Sequence, residues 1–367
     1  MADFIPGLLL AEHFYWDAIR PVLEATFPGL PHSAALIGSG SEVLGFDTPT
    51  STDHHWGPRG LIFLREDDHE RYASAVDQAL RLHLPRQFYG WSTHFSPPNP
   101  DDHGVQLLVE SDSGPINHRV ELHTLRGFVQ QELGFDLDND LDALDWLTFP
   151  SQRLLAITAG AVFHDAIGLE DVRARFRWYP RDVWLYLLAA GWKRLAQEEH
   201  LMGRAGQAGD EPGSQIIAAR LVRDIMRLAL LMERRYPPYA KWFGSAFART
   251  HAAAALNPLL WRALRADEWP ERDRALAEAY EILAALHNRL DLTEPLEARA
   301  VPFFGRPFNV VFGERFAQAL LAQIGDPWLR DMPAIIGSLD QWSDSTDLLE
   351  AVRLRQRIKA LYRMTDA

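Results

Sequence analysis

The segment from residue 36 to residue 64, LIGSGSEVLGFDTPTSTDHHWGPRGLIFL, constrains the fold more than any other part of the chain. Leu36 and Ile37 are predicted to end a strand, and the alternating glycines and serines after them predict a turn in which backbone N–H groups can approach an anion. Residues 41–44 are then predicted to begin a helix whose N-terminus favours negative charge. The apolar run 61–64 predicts the end of a second strand.

Asp53, His54 and His55 are predicted to lie early on that second strand. Side chains alternate between the faces of a strand, so Asp53 and His55 would share one face and could share a cation. An imidazole ligand favours Mn²⁺ or Zn²⁺ over Mg²⁺, which prefers oxygen. The alternative is that His55 only hydrogen-bonds Asp53 or a phosphate. Arg59, which follows Gly57-Pro58, could contact a phosphate or form an ion pair.

This order of residues resembles the nucleotidyltransferase superfamily that includes DNA polymerase beta and the antibiotic adenylyltransferases. The superfamily pattern is a Gly-Ser turn followed by an Asp-x-Asp pair on the next strand. Asp53 matches the first aspartate, whereas His55 stands in place of the second. This resemblance covers roughly the first 130 residues. The whole chain, with GSGSEVLGFD, HHWGPR, RLVRDIMRL, ERRYPPYAKW and STDLL, is similar to a bacterial family of unknown function described as nucleotidyltransferase-like.

The resemblance implies metal-dependent adenylyl transfer from ATP to a hydroxyl group of a small molecule. Asp53 and Glu121 would be the catalytic carboxylates and, with His55, would hold a divalent metal, either Mg²⁺ or Mn²⁺, with Zn²⁺ as the alternative that His55 suggests. Glu121 is chosen because residues 117–128 alternate like a strand; otherwise it is a half-exposed glutamate paired with Arg119. Phosphate contacts are predicted for Gly38, Ser39, Gly40, Ser41 and Arg59.

The predicted fold class is α+β, with a nucleotidyltransferase-like mixed sheet and its helices in residues 1–148 and an all-α, substrate-binding bundle in residues 149–367. A chain of 367 residues is long enough for two cores. Gly- and Pro-bounded periodic segments predict the helices. These are 7–28, 69–84, 151–158, 163–174, 180–201, 212–235, 237–251, 256–265, 270–289, 313–323 and 345–363. Residues 203–214 are predicted to be a loop, and residues 299–316 a short hairpin or an irregular cap.

The helix predicted at 212–235 carries three arginines on one stripe, at positions 220, 223 and 227. The simple interpretation is a solvent-exposed face. The alternative is that Arg220, Arg223 and Arg227 neutralise a triphosphate while Asp224 positions one of them. Lys241, one of three lysines in the chain, could likewise contact a phosphate or a substrate carboxylate.

Charge is distributed unevenly along the chain. The first 150 residues hold 8 basic and 23 acidic side chains, a net charge of −15, and the remainder holds 29 basic and 27 acidic, a net charge of +2. The acidic half suits metal capture and disfavours long nucleic acid, which needs a basic stripe. The chain has no cysteine, which excludes thiolate catalysis and disulfides. No apolar run is long enough to span a bilayer and residues 1–10 lack a basic start, so we expect a cytoplasmic protein without a membrane partner.

Three other functions are compatible with the sequence. A degenerate nucleotidyltransferase fold would bind a nucleotide-like ligand or a protein partner without transferring a nucleotidyl group. A phosphoesterase could use Asp53-His54-His55, but it would need further aspartates upstream on strand ends, and the strand predicted just before Gly38 has none. A member of a toxin–antitoxin-like pair would modify a partner protein instead of a small molecule.

Overall fold

The structure, a computed structural model, describes residues 3–53, 55–102 and 104–363. His54 and the side chain of Asp53 lie outside this description. Contacts divide the chain into two compact units, the first made of residues 1–140 and 153–177 and the second of residues 141–152 and 178–367. The division into domains at residues 148 and 149 stays a prediction.

The first unit contains a four-stranded mixed sheet in the order β5-β2-β1-β6. The central strands β1 and β2 are antiparallel, β6 is antiparallel to β1, and β5 is parallel to β2. This confirms the predicted mixed sheet. A separate two-stranded hairpin is formed by β3 and β4. The strands are β1 His32–Leu36, β2 Arg59–Leu64, β3 Gln87–Phe88, β4 Trp91–Ser92, β5 Arg119–Thr124 and β6 Ala161–Asp165.

One face of this sheet is covered by helices and forms the core of the unit. Leu10 and Phe14 of the first helix and Leu80 of the third pack with Ile62 of β2 and Val120 of β5, and all five are buried. Side chains alternate along each strand, so Arg59 and Glu121 point away from this core. The helices up to residue 177 are Gly7–Phe14, Arg20–Thr26, Glu66–His83, Leu125–Leu133, Ala143–Thr148, Ser151–Thr158 and Leu169–Arg175, with a π-helical turn at Tyr15–Ile19 and 3₁₀ turns at Pro49–Asp53 and Pro100–Asp102.

The prediction that Asp53 and His55 share a strand face is wrong. Residues Pro49–Asp53 form a 3₁₀ turn and β2 begins only at Arg59. The turn is favoured locally, because the Ser51 hydroxyl accepts from the N–H of Thr48 at 3.0 Å and the Thr52 hydroxyl donates to the Pro49 carbonyl at 2.9 Å. Pro58 lacks the N–H that a ladder position requires, so the strand starts after it.

The helix predicted to begin at Ser41 is also absent, since residues 41–45 form a turn. The N–H of Phe46 donates to the Ser41 carbonyl at 2.8 Å and the N–H of Gly45 to the Glu42 carbonyl at 3.1 Å. Gly45 has a φ of 67°, a left-handed conformation that stops a helix. Residues 41–45 therefore provide no helix N-terminus for an anion.

Three predictions in the second half of the chain need correction. Residues 161–165, where the helix predicted at 163–174 should begin, form β6 against β1, and that helix begins only at Leu169. The loop predicted at 203–214 overlaps the helix Leu201–Gln207, and the helix predicted at 345–363 is divided into two short helices and two 3₁₀ turns between residues 346 and 361. In each case local periodicity was outweighed by pairing or packing with distant residues.

The second unit is almost entirely helical, which confirms the α+β class with a helical C-terminal part. Within its described residues, a small hairpin pairs β7 Val301–Pro302 with β8 Asn309–Val310, which is the first of the two alternatives predicted for residues 299–316. No helix in the described part of the chain has the length and apolarity to cross a membrane. The helices after residue 177 are Arg181–Glu198, Leu201–Gln207, Glu211–Met232, Ala240–Ala248, Ala253–Arg265, Trp269–Arg289, Gly313–Leu321, Pro327–Arg330, Leu339–Trp342, Thr346–Glu350 and Arg355–Ile358, with 3₁₀ turns at Phe303–Gly305, Val352–Leu354 and Lys359–Leu361.

Candidate functional site

Most of the predicted site residues in the first unit meet at one end of the sheet, which we call the polar end. Arg59 of β2 and Arg119 of β5 are register partners at the start of parallel strands. Because β1 runs antiparallel to β2, the turn that follows Leu36 lies at the same end. Glu121 lies two residues further along β5, on the same face as Arg119. The topology thus brings together the turn and these charged side chains.

The Gly38–Ser41 turn is held by backbone hydrogen bonds to a segment distant in sequence. The N–H of Gly38 donates to the carbonyl of Ala156 at 2.7 Å, and the N–H of Gly160 donates to that of Val43 at 3.1 Å. The N–H of Gly38 is therefore used within the fold. Among the described residues, none accepts a bond from the N–H groups of Ser39, Gly40 or Ser41, so these three remain the candidate donors to a phosphate.

Arg59 is a buried support for this turn. Its Nε donates to Oε1 of Glu42 at 2.8 Å, and its Nη2 donates to the carbonyl of Ser39 at 2.9 Å. Both side chains are less than a tenth exposed. A Cβ atom at Gly40, whose φ is 145°, would lie 2.7 Å from Nη2 of Arg59 and from Oε2 of Glu42. Of the two alternatives for Arg59, the ion pair is thus the one observed. The close approach of Arg59 and Glu42 to the turn requires glycine at position 40.

Arg119 contacts both His55 and Glu121 at the polar end. Nη1 of Arg119 donates to Nδ1 of His55, and Nη2 lies 3.5 Å from Oε1 of Glu121. His55 has a φ of 52°, which is uncommon for a non-glycine residue, and its N–H donates to the Gln106 carbonyl at 3.0 Å. Since Nδ1 accepts from Arg119, the neutral ring carries its proton on Nε2. This contact favours hydrogen bonding over metal ligation for His55 in the observed arrangement.

Glu121 is held as a carboxylate by its neighbours. His123 donates to Oε2 of Glu121 at 3.3 Å, and this hydrogen bond, opposed by burial and reinforced by the charges of Arg59 and Arg119, lowers the pKa of Glu121 to about 2. The Glu121 side chain is 45% exposed. An ionised carboxylate that is open to solvent is the form that a hard divalent cation binds.

We expect Glu121 to titrate well below its ordinary value of 4.5. A carboxyl ¹³C titration by NMR should place its midpoint near pH 2, so any stability that its charge contributes is present above pH 4.5 and is lost on acidification. In His123→Leu the midpoint should rise, because the hydrogen bond that lowers the pKa of Glu121 most is removed. A wild-type midpoint near 4.5 would contradict the hydrogen-bonded arrangement.

No group of three His, Asp or Glu side chains that could hold a metal is found within residues 3–53, 55–102 and 104–363. The side chain of Asp53, the principal predicted ligand, lies outside the described part of the chain. The predicted set of Asp53, His55 and Glu121 therefore stays a prediction. In the fold, the backbone of Asp53 ends the 3₁₀ turn two residues before His55.

A cleft of about 400 Å³ opens next to this turn in the first unit. Thr52, which directly precedes Asp53, forms part of its wall together with Trp91, Leu107 and Glu110. Ser92 stabilises the wall by donating a hydrogen bond to the Val109 carbonyl at 2.7 Å. A volume of about 300–1,000 Å³ is usual for small-molecule sites. The cleft is therefore a candidate place for a small molecule beside the Asp53 segment.

The predicted phosphate-binding arginines of the helix Glu211–Met232 have carboxylate partners in the second unit. Arg220 contacts Glu198, while Arg223 and Arg227 both contact Asp344, the latter pair at 2.7 Å. Lys241 is exposed, and its Nζ lies 5.0 Å from the centre of the Trp242 ring. Their roles toward a ligand stay predictions.

Sequence reasoning missed the partners that define these charges. The sequence predicts Glu121 as the partner of Arg119 but does not predict its contact with His55, and Asp344 lies 117 residues from Arg227. No periodicity or spacing links residues so far apart. Glu42, which does lie in the conspicuous 36–64 segment, could have been found as the nearest carboxylate to the glycine turn.

Comparison with known proteins finds similarity to a protein family and to solved structures. A family described as "Domain of unknown function (DUF4037)" matches residues 146–243, fewer than half of the chain. No curated protein matches. Among solved structures, the chain is similar to a nucleotidyltransferase-like protein from Exiguobacterium sibiricum, with 12% sequence identity and a TM-score of 0.32, over 78% of this chain and 82% of that one. At this identity and TM-score, the similarity assigns neither a site nor a reaction to the protein.

Proposed function

We propose that the protein is a metal-dependent nucleotidyltransferase that transfers an adenylyl group from ATP to a hydroxyl group of a small molecule. The observation that supports this most strongly is the convergence, at one end of a mixed sheet, of a glycine turn with three candidate N–H donors, an ionised Glu121 and Arg119. A small acceptor is favoured over long nucleic acid by the net charge of −15 on the first 150 residues.

In this proposal the protein's main contribution is positioning. The N–H groups of Ser39, Gly40 and Ser41 bind the β- and γ-phosphates, while Arg59 and Glu42 keep the turn in shape. Arg119 contributes positive charge beside the α-phosphate, and an acceptor in the cleft next to Thr52 presents its hydroxyl group. The hydroxyl oxygen bonds to the α-phosphorus as the bond to pyrophosphate breaks in line, and the hydroxyl proton is released to solvent.

Asp53 and Glu121 would hold a divalent cation, which when bound supplies charge neutralisation for the triphosphate. The described residues fit this need in part, because Glu121 is an ionised, accessible oxygen ligand. His55 would join the ligand set only after its ring leaves Arg119. Arg220, Arg223, Arg227 and Lys241 enter the proposal as anion-binding groups of the second unit.

The test is calorimetric titration with ATP and GTP in the presence of Mg²⁺, Mn²⁺ or Zn²⁺. We expect metal-dependent ATP binding that Asp53→Ala weakens at least about tenfold, a loss of about 1.4 kcal/mol. Asp101→Ala, in the other 3₁₀ turn of the first unit, is the matched control and should bind as the wild type does. His55→Asp should shift the preference toward Mg²⁺ if position 55 provides a ligand.

Failure to bind ATP or GTP with any of the three metals would overturn the proposal. Binding that depends on Asp53 but is followed by no pyrophosphate release with any acceptor would support the degenerate fold instead. Copurification of a stoichiometric partner protein, modified in an ATP-dependent way, would favour a protein acceptor over a small molecule.

A further inference from the structure

A continuous series of alternating charges runs through the second unit, which we call the arginine–carboxylate ladder. Each of its three carboxylates contacts two arginines, and each of its two inner arginines contacts two carboxylates. The ladder thus begins and ends with an arginine. Its members, in order of contact, are Arg220, Glu198, Arg194, Asp224, Arg223, Asp344 and Arg227.

The two inner carboxylates are fixed parts of the protein. Glu198 and Asp224 each have a side chain that is only 6% exposed. Arg194 lies 3.1 Å from Glu198 and 3.4 Å from Asp224, while Arg223 lies 3.4 Å from Asp224. Removing either carboxylate from contact would leave a buried charge unpaired, which is costly.

Asp344 differs from these two in both exposure and backbone. Its side chain is 58% exposed, and it lies in the short non-helical segment between the helices Leu339–Trp342 and Thr346–Glu350. Its two oxygens are held by different arginines, Oδ2 by Nη1 of Arg223 and Oδ1 by Nη2 of Arg227, the second at 2.7 Å. An exposed carboxylate costs less to release than a buried one, so Asp344 can leave its arginines more easily than Glu198 or Asp224 can.

The charges of the ladder favour an anion in the place of Asp344. Four arginines face three carboxylates, so the ladder has a net charge of +1, which becomes +2 when Asp344 departs. Arg223 and Arg227, one helical turn apart, would then present guanidinium groups on a single face. Two guanidinium groups that already bind one carboxylate through both its oxygens also suit the oxygens of a phosphate.

We propose that Arg223 and Arg227 form a binding site for a phosphate group and that Asp344 occupies this site when no ligand is bound. A phosphate group carries more charge than a carboxylate and has three oxygens, so it can displace Asp344 from the pair. Asp344 is a built-in competitor at a high effective concentration, which weakens the apparent affinity for the ligand. The inference rests on the anion-binding role proposed above for Arg223 and Arg227, and it deepens that role by naming a phosphate group as their ligand and Asp344 as its competitor.

The test is a calorimetric titration of the protein with inorganic pyrophosphate in the presence of EDTA. Replacing Asp344 by asparagine removes the competing charge and retains the shape, so Asp344→Asn should bind pyrophosphate at least about tenfold more tightly than the wild type. Asp347→Asn, an exposed aspartate in the next helix, is the matched control and should leave the affinity unchanged. Adding Arg223→Gln and Arg227→Gln to Asp344→Asn should abolish the gain.

An unchanged affinity in Asp344→Asn would overturn the inference. So would a gain that Asp347→Asn reproduces or that survives loss of both arginines, since either would indicate a general effect of net charge. Melting curves of every variant establish that the affinities refer to folded protein. In an Asp53→Ala background, Asp344→Asn should raise the pyrophosphate affinity by the same factor. Loss of the metal-dependent ATP site and loss of this phosphate site would therefore be separate results.

Discussion

Replacing Arg59 by methionine should lower the free energy of unfolding by about 3–5 kcal/mol, the usual cost of removing one partner of a buried ion pair. Arg59 and Glu42 have side chains only 8% and 6% exposed, and methionine would leave the Glu42 carboxylate buried without its cation. The Ser39 carbonyl would lose its donor at the same time. Chemical denaturation measured by circular dichroism gives the difference directly.

The matched control is Arg65→Met, since Arg65 is an exposed arginine just after β2. It should change stability by no more than about 0.5 kcal/mol. Replacing both partners, as Arg59→Met with Glu42→Leu, should restore much of the loss, because no buried charge is then unpaired. Equal stability of Arg59→Met and Arg65→Met would refute the assigned role of Arg59 in supporting the turn.

Asp145→Ala should be similarly destabilising, by about 3–5 kcal/mol, because it leaves two buried cations without a carboxylate. Asp145 contacts both Arg355 and Lys359, and the three side chains are 7%, 5% and 10% exposed. Arg355 also donates to the Thr148 hydroxyl at 3.1 Å and stacks over Phe149. The loss of stability should therefore lower the midpoint of unfolding in urea. The substitution should also release the C-terminal segment that carries Arg355.

Asp140→Ala is the control for this variant, since Asp140 is an exposed aspartate five residues earlier. Burial by itself would raise the pKa of Asp145, but the hydrogen bond from Lys359 and the charge of Arg355 outweigh it and lower the pKa. The stabilising contribution is thus present above about pH 4 and is lost as the pH falls further. If Asp145→Ala and Asp140→Ala unfold at the same urea concentration, the three side chains do not form a stabilising cluster.

The parts of the fold that were predicted correctly are those with strong local signals. The helix Glu66–His83 has an acidic first turn, a basic last turn and a buried stripe of Val76, Ala79 and Leu80. The strand Arg119–Thr124 shows the alternation that the sequence indicated. Periodicity of this kind records burial on one side, which a short window of sequence contains.

The failures have a common physical cause. Residues 163–165 are predicted to begin a helix, yet they belong to β6 because β1 offers an unpaired strand edge. Asp53 read as a strand residue because the apolar run 61–64 follows it, but the hydroxyl groups of Ser51 and Thr52 and the proline at position 49 favour a 3₁₀ turn. In both cases a partner or a side-chain hydrogen bond overrode the average propensity.

The site was predictable in composition and only partly in arrangement. The glycine turn, Arg59 and Glu121 were chosen from the sequence, and the topology brings them to one end of the sheet. The contact of Arg119 with His55, 64 residues away, was not predictable, and it alters the role expected for His55. The partners of the arginines in the helix Glu211–Met232 were equally hidden, since Asp344 lies more than a hundred residues further on.

By itself, the sequence determined the α+β class, the helical second half and the glycines of the turn at residues 38–40, because these depend on local periodicity and on backbone conformations that few residues adopt. Only the tertiary structure decided which charges are paired. Arg59 is buried against Glu42, Asp145 neutralises Arg355 and Lys359, and Asp344 lies between Arg223 and Arg227. An ion pair depends on the distance between two side chains in space, and chain folding sets that distance independently of their separation in sequence.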